Sequence, residues 1–444
     1  MKHLTILLLA AASLAATSCA TDDDFDTTTG GGASTTLITE TEGSYPTSSI
    51  VWRADSTVVL RDHFIVPKGH SLYIEPGVRV VAANSAVKPE IVVLGSLYSM
   101  GTAQKPVLFT VADSLKTDRF SRNWGGIICG YDSPELYLNY TVMEYGGAQT
   151  TEQSPSYING LFKTETGEGV PAVHFCNRDG RMVITNSTFI NNAEDHIYIT
   201  GGNSIVSGNL FVSCGYDGGE AVNYKSDCTA DIAYNVIYDA NTNAFKLSNS
   251  GLVAKQSDIN VYNNTVLNTG WRRPKVKGGS VWLETSILAR VFNNLFYDCR
   301  WGMKHSTSEG EDPASVITPN YYYSSTAVGV EQMQANAKAG IINGADDLRS
   351  ATPGDLDPLF ASFTRQADVN INVASNTGSV PQAWSDRWDL HLTAGSPALK
   401  GGNTTIAPHF ATTGIRMSGL SGVADIITFY SPRPSEFFGA YGTK

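Results

Sequence analysis

From about residue 170 onward, short apolar runs recur along the chain: AVHF (172–175), HIYI (196–199), AVNY (221–224), AFKL (244–247), SVWL (280–283) and GMKH (302–305). Their starts lie 24, 25, 23, 36 and 22 residues apart. Within each run apolar and polar residues alternate at period two, the signature of strands rather than helices. Gly, Asn and Asp punctuate the gaps. A second series of strand-like phrases lies between them, each carrying an asparagine: Asn186, Asn209, Asn235, Asn264 and Asn294, at intervals of 23, 26, 29 and 30.

A repeat near 24 residues, built of strands about four residues long with polar corners, cannot bury its apolar side alone and must stack on its neighbours. The pattern predicts an all-β solenoid, a single-stranded right-handed parallel β-helix with three short strands per turn. An Asn at a fixed corner adopts the left-handed backbone that most residues avoid. Stacked one turn above another, such amides form a ladder along the axis. Asn186, Asn209, Asn235, Asn264 and Asn294 are therefore expected as structural corners. If Val173, Ile197, Val222, Phe245, Val281 and Met303 point inward, then His174, Tyr198, Asn223, Lys246, Trp282 and Lys304 form an outward column. Two residues further on stand Cys176, Thr200, Lys225, Ser248, Glu284 and Ser306.

The N-terminal part keeps the rhythm in other words: SLYIEPGVRVVAAN (71–84), EIVVLGSLYSMGTAQKPVLFT (90–110), NWGGIICG (123–130) and LYLNYTVMEYGG (136–147). Pro76-Gly77 and Gly101-Thr102 supply tight corners between strands. This series resembles the opening turns of many secreted β-helix proteins. DLDPLF (355–360) and WDLHLTAGSPAL (388–399) are similar to the closing segment of pectate-lyase-like β-helices. The resemblance implies the fold, not an activity, with a capping segment over about 306–444 that covers the open end. Residues 148–168 interrupt the rhythm and read as a loop insertion, and 329–341 is the one stretch with a good helical pattern.

Composition adds the compartment. Of 444 residues 42% are hydrophobic and only 16% charged, while Gly totals 42 and Tyr 20, material for strands and turns rather than surface helices. A formal charge of −11 argues against nucleic acid as a partner. The first 18 residues, with Lys2 before an apolar run, read as a signal peptide. Ala16-Thr17-Ser18-Cys19 resembles a bacterial lipobox, which implies acylation of Cys19. Residues 19–45, with Asp22, Asp23, Asp24 and Asp26, read as a flexible acidic tether, its acids resembling a surface-export signal. The expectation is a lipoprotein anchored in the outer membrane of a Gram-negative bacterium and facing outward. Cys129, Cys176, Cys214, Cys228 and Cys299 are an odd number without zinc-like spacing, expected as small core residues, with Cys214–Cys228 as the alternative disulfide.

The outward column carries the candidate chemistry. Exposed aromatics stack on sugar rings, and Lys246, Lys304, Arg272 and Arg273, with Lys275 and Lys277 of the basic loop GWRRPKVKGG (270–279), suit carboxylates or sulfates. His174, Tyr198, Asn223 and Trp282 complete the expected glycan-binding set. A β-helix lyase needs a base and often calcium; Lys246 would be that base, with Asp217 and Glu220 near the cation. Glu194 and Asp195 also precede a strand. The Asp-rich constellation of polygalacturonase-like hydrolases is missing, and no metal-binding motif appears. The expected function is a surface binding or adhesion module contacting polysaccharide or a host polymer, without a cofactor. The alternatives are a polysaccharide lyase acting on an acidic glycan, with calcium as its ion, and a purely structural surface protein.

Overall fold

The computed structural model describes residues 45–161, 165–273, 279–364, 383–424 and 427–444, together with the backbone of Leu37–Ile38. Three ten-stranded sheets wind around one axis. The first sheet runs from Ser49–Trp52 to Leu288–Phe292, the second from Thr57–Leu60 to Tyr321–Tyr323, and the third from Phe64–Val66 to Met303–His305. Each strand pairs in parallel with its counterpart one turn away, as in the third-sheet column Val173, Ile197, Val222, Phe245, Val281, Met303. Two antiparallel strands close the stack: Leu37–Ile38 on the first sheet and Ile341–Ile342 on the last strand of the third. Paired backbone thus begins inside the 19–45 stretch expected as tether. Cys19 and the signal segment lie outside the described residues.

Alternate side chains of all three sheets meet on the axis. Ile184, Val206, Ile232, Val261 and Val291 come from the first sheet; Phe189, Phe211, Ile237, Val266 and Phe296 from the second; Ile197, Val222, Phe245 and Val281 from the third. All are at most 1% exposed, and burying each large apolar side chain is worth about 1.5–3 kcal/mol. All five described cysteines are free and buried, Cys214 and Cys228 included, which answers the disulfide alternative. The helical segment is Ala327–Met333, shorter and earlier than its pattern suggested, and Met333 joins the axial core.

The asparagine ladder is present in a shifted form. Asn209, Asn235, Asn264, Asn294 and Asn320 stack, and each Oδ1 accepts from the preceding member's backbone N–H and Nδ2. The bond pairs are 3.0 and 3.0 Å, 2.9 and 2.9 Å, 3.1 and 2.9 Å, then 3.1 and 3.0 Å. A left-handed residue precedes four of them, Gly208 (φ 67°), Tyr234 (56°), Asn263 (50°) and Asn293 (57°), and Asn186 (52°) holds the same place before Ser187, whereas Asn320 follows Pro319. Asn186 therefore belongs to the corner series, not the ladder. Ser187 takes the ladder position and donates its N–H to Asn209 at 2.9 Å. Corner and ladder are adjacent jobs, and the paired asparagines at 263–264 and 293–294 fill both.

The C-terminal part covers sides as well as the end. Leu390, Leu392, Ala398 and Phe438 pack on the outer face of the second sheet. Phe410, Ile415, Met417 and Leu420 run back along the first, against Tyr73, Tyr98, Tyr137 and Ile205. Two buried carboxylates pin this strap: Glu135 accepts from Ser418 N (2.7 Å) and Gly419 N (3.0 Å), Asp231 from Phe410 N (2.9 Å) and Ser431 Oγ (2.6 Å).

Candidate functional site on the third sheet

Covered faces are apolar and the remaining one is polar. On the third sheet, the outer residues Val92 and Ile128 lie under an apolar cover, that of Leu161 and Val170 from the insertion. Beyond them the outer positions become His174, Tyr198, Asn223, Lys246, Trp282 and Lys304, in register across five strand pairs. Two hollows flank this column. The larger, about 660 Å³, follows the strand ends past Tyr131, Cys176, Thr200, Lys225 and Ser250. The smaller, about 260 Å³, holds Asp195, Glu220, Asn223 and Lys246. Tyr198 and Lys225 line both and separate them, the Lys225 ammonium lying 5.8 Å from the Tyr198 ring centre.

A charged cluster occupies the smaller hollow. Asp195 accepts from Glu220 N (2.7 Å) and from Asn223 Nδ2 (2.8 Å), and Glu220 accepts from Asn243 Nδ2 (3.0 Å). Burial, then the adjoining Glu220 carboxylate, pushes the Asp195 carboxyl well above the usual carboxylate range. Lys225 shifts the other way from an ordinary lysine. Burial and then Lys246 hold it low, against the pull of Glu284, Glu220 and Asp195. Lys246 contacts Glu284 at 3.3 Å; burial would lower it, but Glu220 and Glu284 together raise it. Glu284 in turn accepts from the Trp282 indole N–H at 2.7 Å. Burial raises Glu284, yet that bond and the two lysines outweigh it and keep its carboxyl low.

The structure rearranges the expected set. Tyr198, Lys246 and Trp282 are partly accessible, whereas His174 (2%), Asn223 (4%) and Lys304 (3%) are buried. Burial lowers His174 to about 3, so its ring is neutral at physiological pH. Lys304 lies under aromatic rings, its ammonium 4.6 Å from the Trp301 ring centre and 5.8 Å from that of Trp282. Arg272 is not an exposed anchor: at 3% exposure it pairs with Asp239 at 3.0 Å and donates to the Cys214 and Gly215 carbonyls. Arg273 donates to the Asp217 carbonyl. Lys275 and Lys277 lie outside the described residues. Asp217 does not line the smaller hollow, and Lys246 is already held by Glu284. The more perturbed groups are Asp195 and Lys225. Their signal was present, since Lys225 and Glu284 stand in the second outward series and Asp195 precedes a strand. Among the described residues no group of three or more His, Cys, Asp or Glu is placed to hold a metal ion.

Two family models match the chain: a pectate-lyase like beta helix domain over residues 43–162 and a right handed beta helix region over residues 169–344. The chain is a right-handed β-helix protein. The matched spans cover the solenoid that carries the third sheet, so the hollows lie on the β-helix itself. No curated protein and no solved structure matches the chain.

Proposed function

We propose that the polar face of the third sheet is a polysaccharide-binding surface. The observation that carries this reading is the contrast between the faces: apolar cover on the first and second sheets, and on the third an in-register column flanked by two hollows. Tyr198 and Trp282 offer rings, and Asn223, Lys225, Asp195 and Glu220 offer donors and acceptors, the mixture a sugar chain requires. A glycan array probed with the protein and with its Tyr198→Ala and Trp282→Ala variants tests it. Retention of a glycan by the parent and about tenfold weaker retention by each variant is the expected result. Retention unaffected by both changes would remove the third sheet from the account.

The second reading is a polysaccharide lyase acting on an acidic glycan, favoured by the opposed shifts of Asp195 and Lys225 around one hollow. A lysine held toward its neutral form serves as a base, and a carboxyl held protonated serves as an acid. Release of unsaturated products, lost in Lys225→Ala, distinguishes it from binding alone. The protein is further proposed to be a lipoprotein anchored through Cys19 at the outer membrane, on the strength of the lipobox-like residues. Incorporation of labelled palmitate that disappears in Cys19→Ala is the expected result, and labelling that persists would count against it.

A further inference from the structure

We propose that the larger hollow is closed at one end by the insertion and takes the terminus of a polysaccharide chain rather than its middle. This rests on the glycan-binding reading above. The insertion returns on itself: Gln149 bridges Gly169 in antiparallel fashion, and Val170 donates to the Ala148 carbonyl at 3.0 Å. Its short helix, Pro155–Ile158, is fixed to the solenoid by Glu90, a carboxylate 2% exposed that accepts from Ser156 N (3.0 Å) and Ser156 Oγ (2.9 Å). Leu161 and Val170 then bury Val92 and Ile128, so the outer surface of those two turns is closed to a ligand.

The hollow begins at this wall. Leu161 and Tyr131 line it there, and it continues past Cys176, Thr200 and Lys225 to Ser250 and Gly251. Next along the chain come Leu252 and Val253, 55% and 66% exposed. Five turns at a strand spacing of about 4.8 Å give a length of about 19 Å, the scale of a short oligosaccharide. Tyr131 suits the role of end platform. Its ring is 59% exposed, while its hydroxyl donates to the Gly160 carbonyl of the insertion at 2.9 Å. A ring fixed at its tip and open on its face offers a terminal sugar a stacking surface at small entropic cost.

The test uses oligosaccharides and polymers attached to a surface by the reducing end in one set and by the non-reducing end in another. The parent protein is expected to retain one orientation only. Tyr131→Ala is expected to bind that orientation about tenfold more weakly. A variant with residues 150–168 replaced by a short Gly-Ser link is expected to gain the other orientation. Should that variant fail to fold, the orientation test on the parent and Tyr131→Ala still decides. Equal retention of both orientations by the parent would overturn the closed groove and leave the glycan reading standing. Failure to retain any glycan would overturn both.

Discussion

An asparagine buried at a β-helix corner is stabilising only when both ends of its amide are used. In Asn264 the Oδ1 accepts from Asn235 N and Nδ2, while its Nδ2 donates to Ile232 O, Tyr262 O and Asn294 Oδ1. Asn264→Ala orphans donors and acceptors that water cannot reach, at roughly 1–3 kcal/mol for each unsatisfied group. Its unfolding midpoint in urea is expected to fall clearly below the parent's. Asn186→Ala, at an exposed corner outside the ladder, is expected to shift the midpoint far less; equal losses from the two would contradict the ladder. This distinction was only half legible from the chain. The repeated asparagine announces a stacked column, but its two adjacent roles are set by backbone geometry, and a one-residue offset in Asn186 leaves the spacing almost unchanged.

At the scale of strands the pattern was more informative, because period-two alternation fixes which residues share a face. The register of His174, Tyr198, Asn223, Lys246, Trp282 and Lys304 follows from it directly. Accessibility does not follow, since an outward side chain can still be covered by a neighbour: Trp301 covers Lys304, and Asn223 turns to Asp195. Arg272 shows the same limit, because no local signal reveals that its partner is Asp239, 33 residues away. The third-sheet cluster also makes stability depend on pH. The folded value of Asp195 is raised above its ordinary 3.8, so its contribution is complete below that pH and is lost as pH rises through the folded value. Asp195→Asn removes this loss. Across denaturation series from about pH 4 to pH 7, the parent is expected to lose stability relative to the variant as pH rises; parallel profiles would show that the folded state does not raise the Asp195 carboxyl.

For the whole molecule, the axial core is built alike on three sides, and what distinguishes the faces is their cover. The C-terminal strap on the first sheet and the 388–399 segment on the second lie far along the chain from the strands they shield. Their destination depends on complementary apolar surfaces rather than on any local motif. The resemblance of the closing segment to other β-helices implied an end cap; the tyrosine-rich outer faces of the first and second sheets draw it along the sides as well. One polar face remains. Hydroxyl-radical footprinting of the protein, with and without a glycan that it retains, tests that face most directly. Protection is expected at Tyr198 and Trp282, with no change at Tyr430 on the strap. Protection confined to the strap or the second-sheet cover, with Tyr198 and Trp282 unaltered, would contradict the account.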